Sequence, residues 1–204
     1  MYKKIVKRLL DFMLALLGLL ITFPITISVA LILLLVNRGN PFFFQKRPGK
    51  DAKVFKIIKF KTMINHKDAS GKLLPDSERL TSIGKWVRKY SLDELPQLIN
   101  VLIGDMAFVG PRPLLIKYLP YYTAEEHKRH QVRPGITGLA QISGRNYLNW
   151  DDRLKKDVWY VEQLSFKLDL EIMIKTVKNV LTSKDVAINP NLIIQDLDDI
   201  RKTN

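Results

Sequence analysis

Apolar residues are unevenly spread along this chain. From Leu9 to Val36 they run almost unbroken for 28 residues, where a membrane-crossing helix needs roughly 20. Lys3, Lys4, Lys7 and Arg8 precede the run, and Arg38, Lys46, Arg47 and Lys50 follow it. Basic flanks favour the cytoplasmic face, so both ends of the segment point to the same side. Pro24 stands at the centre, where it lacks a backbone donor and its ring crowds the carbonyl of Leu20. The pattern predicts a re-entrant membrane hairpin over residues 1–36, with two half-helices of about 14 residues bent at Phe23-Pro24. Thr22, Thr26 and Ser28 are near enough to serve the freed carbonyls. No small-residue cleavage site follows, so the segment is expected in the mature protein.

Beyond the anchor, Val54 to Met63 mixes apolar and basic residues and reads as a strand or short helix beside the membrane surface. Asn65 to Ser82 is polar and reads as a loop, and Ile83 to Tyr90 as a short helix. Ser91-Leu92-Asp93-Glu94 has the form of a capping box opening a helix through Ile103, with Pro96 near its start. Thr123-Ala124-Glu125-Glu126 repeats the form before a helix ending near Gln131, and Asp151–Leu164 and Asp169–Leu181 have helical spacing. The fold expected is mostly α with minor β. It comprises the N-terminal helix-break-helix hairpin, a compact cytoplasmic catalytic domain over 37–182 with amphipathic helices in the interface plane, and a tail over 183–204.

Composition narrows the chemistry. The 204 residues, 47% hydrophobic, suffice for one compact domain with an attached element. Cysteine is absent, which excludes disulfides, thiolate metal sites and thiol nucleophiles. A formal net charge of +13 predicts an anionic partner: nucleic acid, an anionic leaflet or a phosphorylated substrate. Basic residues grouped around the apolar segment favour the membrane, and no nucleic-acid partner is expected.

Neither a G-x-x-x-x-G-K-[ST] nor a G-x-G-x-x-G loop is present, so phosphate must be held by side chains. Lys59, Lys61, Arg88, Arg112, Arg133 and Arg145 are the candidate cations. Arg112 and Arg133 stand in Pro-Arg-Pro and Arg-Pro-Gly contexts whose stiff backbone suits bidentate contact. Asp93 and Glu94 admit two readings: acids in the first turn of a helix favour its dipole, and paired carboxylates beside phosphate suit Mg2+. His127 and His130 lack further ligands and read as solvated helix residues.

The chain resembles the bacterial sugar transferase family, the monotopic phosphoglycosyl transferases. The resemblance runs through Lys59-Phe60-Lys61-Thr62-Met63, Ser91-Leu92-Asp93-Glu94-Leu95-Pro96-Gln97-Leu98, Asn100-Val101-Leu102, Gly104-Asp105-Met106 and Val109-Gly110-Pro111-Arg112-Pro113. It continues through Arg133 to Gln141, Ser143-Gly144-Arg145, and Asp157 with Tyr160 and Asp169. It implies a proline-broken membrane hairpin, an Asp93-Glu94 catalytic dyad, a requirement for Mg2+ held by those two residues, and a UDP-sugar and undecaprenyl phosphate as substrates. The substrate- and phosphate-binding set expected is Lys59, Arg88, Arg112, Arg133, Arg145 and Asp157. Two positions depart from the family: Phe23-Pro24 where Ser-Pro is frequent, and Lys61 where arginine is common. The compact form is similar to members that initiate N-linked glycan assembly with diacetylated bacillosamine phosphate; hexose 1-phosphate transfer for capsule or exopolysaccharide is the alternative. The location implied is the bacterial inner membrane, with the catalytic domain facing the cytoplasm. Readings outside the family are a basic membrane adaptor without activity and a lipid pyrophosphatase.

Overall fold

The computed structural model describes residues 1–144, 148–182 and 195–202. It is mostly helical with a little sheet. A wide turn at Tyr2–Val6 leads into α1 (Lys7–Val36), a helix long and apolar enough to cross a membrane by length and composition. The two half-helices expected on either side of Phe23-Pro24 are one helix, because the helical backbone passes through Pro24. A proline deletes only its own donor, and the flanking turns keep the rest. Thr22 Oγ1 donates to Gly18 O (2.7 Å) and Ser28 Oγ to Pro24 O (2.8 Å), so neither serves the Leu20 carbonyl. The Thr26 hydroxyl is buried without a partner.

Both ends of α1 are fastened to the same domain. At its start, Arg8 donates to Val101 O (2.6 Å) and Leu102 O (2.8 Å), and Lys7 Nζ lies 2.7 Å from Asp169 Oδ2. Near its end, Val29 and Leu33 pack with Phe60 and Val87, and Asn37 Nδ2 donates to Lys61 O (2.7 Å). Covered positions recur at Lys7, Asp11, Ala15, Gly18, Thr22, Thr26, Val29 and Leu33, the spacing of one helix face. Leu17, Leu20, Ile21, Phe23 and Leu35 are among those left exposed.

Next comes an antiparallel hairpin of β1 (Phe42–Pro48) and β2 (Val54–Phe60), registered from Phe42 opposite Phe60 to Pro48 opposite Val54. After the one-turn α2 (Asp76–Arg79) and α3 (Ser82–Lys89), a tight turn at Leu92–Glu94 leads to α4 (Gln97–Ile103). β3 (Ala107–Val109) pairs in parallel with β4 (Gly135–Thr137), followed by α5 (Leu139–Ile142). The strands meet so closely that a Cβ on Gly110 would lie 2.4 Å from Arg133 O, and one on Gly135 would lie 2.1 Å from Gly110 N. The Thr123–Glu126 capping box forms as expected: Glu126 N donates to Thr123 Oγ1 (3.2 Å) and Thr123 N to Glu126 Oε2 (2.7 Å). The turn it opens, Glu126–Gln131, has the tighter 3-10 form.

α6 (Trp150–Gln163) and α7 (Phe166–Leu181) start close to where the apolar spacing places them, capped by Asn149 and Ser165. α8 (Leu197–Lys202) follows, with Leu197 buried among Tyr118, Trp150 and Leu154. Exposed apolar rows run along α3 and its C-cap (Ile83, Trp86, then Tyr90) and along α7 (Phe166, Leu170, Ile174, Val177). Their spacing is that of amphipathic helices.

Candidate active site

The Asp93-Glu94 pair lies in the 3-10 turn before α4, not in α4 itself. The expected capping box at Ser91 does not form. An N-cap needs an extended backbone, whereas Ser91 is left-handed (φ 54°) and makes no side-chain cap bond. The cause is the two-residue connection between α3 and this turn, which reverses the chain too sharply for the usual backbone; such a residue costs about 1–2 kcal/mol.

α3 is set against the end of the hairpin by Gly84, where a Cβ would come within 2.1 Å of Thr62 O. That contact lets Arg88 Nε donate to Thr62 Oγ1 (2.9 Å) and holds Arg88 on the rim of the cavity that Asp93 and Glu94 line. Glu94 Oε1 receives Lys59 Nζ from β2 (2.7 Å) and Arg112 Nη2 from the loop after β3 (2.9 Å). Arg112 is itself placed from behind: Arg129 Nη2 donates to Arg112 O (2.7 Å) and pairs with buried Asp157 (2.7 Å). Asp157 therefore orients Arg129 through an ion pair.

These surroundings separate the two acids. Burial and the neighbouring charge of Glu94 push Asp93 up to about 6, against the opposing pull of Lys59, Arg88 and Arg112. Burial also disfavours ionised Glu94, but the charges of Arg112 and Lys59 outweigh it and hold Glu94 well below the usual carboxylate range. One carboxylate is locked as an anion, and the other changes charge near neutral pH.

Of the expected set, the structure brings Asp93, Glu94, Arg88, Arg112 and Asp157 to one cavity, with Lys59 beside Glu94. Arg133 is elsewhere: its Nε donates to Gly104 O (2.7 Å) and caps the end of α4, because that carbonyl has no helical partner. Arg145 lies outside the described residues. His130 is buried, contrary to its reading as solvated, with Nδ1 3.2 Å from Gly49 O and burial lowering its pKa to about 4. Sequence reasoning missed Arg129 and Arg153; the first links Asp157 to Arg112, and the second lines the cavity. Nothing in their local sequence distinguishes them from solvated arginines.

Two adjacent carboxylates give hard oxygen donors of the kind Mg2+ takes. Lys59, Arg88 and Arg112 already balance their charge, so a divalent cation fits best when a diphosphate adds negative charge.

The bacterial sugar transferase family model matches residues 2–183. The chain is 50% identical over 184 residues to the uncharacterized sugar transferase EpsL of Bacillus subtilis, covering 89% of this chain and 90% of that one. It is 35% identical to the exopolysaccharide production protein ExoY of Sinorhizobium fredii, covering 87% and 86% of the two chains. It is also 35% identical to the undecaprenyl-phosphate galactose phosphotransferase of Salmonella typhimurium, covering 87% of this chain but 41% of that longer one. With the model matched over most of its length, the chain belongs to the bacterial sugar transferase family.

Proposed function

We propose that this protein transfers a sugar 1-phosphate from a UDP-sugar to undecaprenyl phosphate, giving undecaprenyl-diphosphate-sugar and UMP. The observation that carries the reading is the division of labour in the dyad. Glu94 is fixed as an anion by Lys59 and Arg112, while Asp93, in the same cavity, has its pKa raised to about 6. Relatives named as galactose, glucose and N-acetylgalactosamine phosphotransferases of undecaprenyl phosphate support the substrate class. The name of ExoY favours polysaccharide assembly over N-linked glycans as the pathway.

An ionised Asp93 oxygen attacks the sugar-bearing phosphorus of the donor. The bond from that phosphorus to the bridging oxygen breaks, UMP leaves with the oxygen, and an aspartyl phosphosugar remains. A phosphate oxygen of the lipid then attacks the same phosphorus and releases the Asp93 carboxylate. Arg88 and Arg112 supply the positive charge that phosphoryl transfer requires. Mg2+, held by Asp93 and Glu94, would neutralise diphosphate charge when bound.

Fastening of both ends of α1 to one domain supports re-entry through one leaflet, since a spanning helix would carry its ends to opposite faces. The apolar rows of α3 and α7 would then lie in the interface, with the domain on the cytoplasmic side of the inner membrane. The test is incubation with undecaprenyl phosphate, Mg2+ and a panel of UDP-sugars. Lipid-linked sugar diphosphate and UMP in equal amounts are expected; release of free sugar phosphate or inorganic phosphate without a lipid product would refute the transfer.

A further inference from the structure

The cavity, about 750 Å3, extends beyond the charged cluster, and much of the rest of its lining is apolar. Gly18 and Thr22 of α1, Leu98 of α4, and Met173, Val177 and Val180 of α7 all contribute. Most polar groups described on this side are partnered within the protein, Gln141 Oε1 being buried without a partner. Thr22 Oγ1 donates to Gly18 O, and Thr176 Oγ1 donates to Ile172 O (2.8 Å) while lying 2.7 Å from Thr137 Oγ1. Gln141 Nε2 donates to Ile136 O (2.9 Å). An occupant therefore meets mainly methyl and methylene groups. A base or sugar needs unpaired donors and acceptors to be recognised, and this lining offers few.

The lining also reaches the exterior. Val177 lines the cavity, is 58% exposed and belongs to the apolar row of α7. Across from it, α1 presents Gly18 to the same cavity, where even a Cβ would sit 3.3 Å from Leu98 Cδ1. An apolar path thus runs from the exposed row of α7 to a cavity that also holds Arg88, Arg112 and Arg153.

We propose that Gly18, Thr22, Leu98, Met173, Val177 and Val180 form a channel for the first isoprene units of the lipid acceptor, with its phosphate at the arginine-bearing side. The inference rests on the proposed transfer reaction and identifies where one of its substrates sits. Complementarity favours the lipid over the nucleotide: a polyprenyl phosphate joins one anionic head to an apolar chain, as the cavity joins cations to apolar lining. A chain moving from the bilayer into this channel exchanges one apolar surrounding for another, so it does not have to be lifted into water. Gly18 lets Leu98 approach α1 closely, so a larger side chain there would press on Leu98 in the cavity wall.

Two measurements test this. First, undecaprenyl phosphate with a diazirine on the isoprene unit next to the phosphate is irradiated with the full chain in micelles. Adducts are expected at Gly18–Thr22, Leu98 or Met173–Val180; adducts confined to the outer face of α1, such as Leu31 and Leu35, would overturn the channel. This needs no turnover, so it reports on the channel even if the proposed reaction fails. Second, Gly18→Leu and Val177→Asp should each raise KM for undecaprenyl phosphate at least tenfold while changing KM for the UDP-sugar less than twofold. A raised donor KM with an unchanged acceptor KM would place the nucleotide in this lining and refute the assignment.

Discussion

Replacing Asp93 by asparagine should abolish transfer and, at neutral pH, make the protein more stable. Burial and Glu94 raise the Asp93 pKa from its ordinary 3.8 to about 6. The folded protein therefore binds a proton more tightly than the unfolded chain, and stability falls as pH rises through the window from about 4 to 6. Above that window the native state carries the whole cost of an ionised Asp93. Full burial would make this ~3 kcal/mol. Asp93 is half-buried, and solvent screening reduces the figure to roughly 1–2 kcal/mol. An asparagine side chain keeps the shape without the charge, so Asp93→Asn should melt about 3–6 °C higher at pH 7.5. At pH 4, where wild-type Asp93 is protonated, the two should melt within about 1 °C of each other. The assay is thermal unfolding in detergent micelles with EDTA present, so that no cation neutralises the carboxylates. Equal melting temperatures at pH 7.5, or a gain that persists at pH 4, would refute the electrostatic account of this residue.

If the ionised form of Asp93 is the nucleophile, kcat/KM for the UDP-sugar should rise about tenfold per pH unit below 6 and level off above it; a flat profile from pH 5 to 8 would exclude that role. EDTA should abolish turnover and Mg2+ restore it, and Glu94→Gln should lose most activity and the metal dependence together; full activity in excess chelator would remove the cation from the reaction. Cysteines introduced at Lys3 and Asn40 should react with an impermeant reagent from the same side of sealed vesicles, whereas labelling from opposite sides would show α1 to span the bilayer.

What the sequence disclosed depended on whether the information was local. The apolar run that forms α1, the spacing of α6 and α7, and the adjacent Asp93-Glu94 pair are written in consecutive residues, and each appears close to where the pattern places it. The continuous helix through Pro24 was not legible, because proline removes one hydrogen bond while packing at Ala15, Val29 and Leu33 supports the turns on both sides. β1 was missed since Phe42-Phe43-Phe44 lacks alternation, and its partner β2 lies across a tight turn. β3 and β4 are three residues each and exist through a pairing across 28 positions, from Ala107 to Gly135. Arg129 and Asp157 acquire their meaning only when the fold brings them to 2.7 Å, and Arg133 lies away from the cavity, with its Nε donating to Gly104 O.

The central claim is that Asp93 carries the sugar phosphate between donor and lipid. Its most direct test is to mix purified protein with the UDP-sugar and Mg2+ and no lipid, and to measure UMP and the mass of the Asp93 peptide. The account predicts UMP up to one equivalent of enzyme, a sugar-phosphate adduct on Asp93 that undecaprenyl phosphate discharges, and neither in Asp93→Asn. Enzyme that turns over fully with lipid present, yet yields no UMP and no adduct without it, would contradict the account.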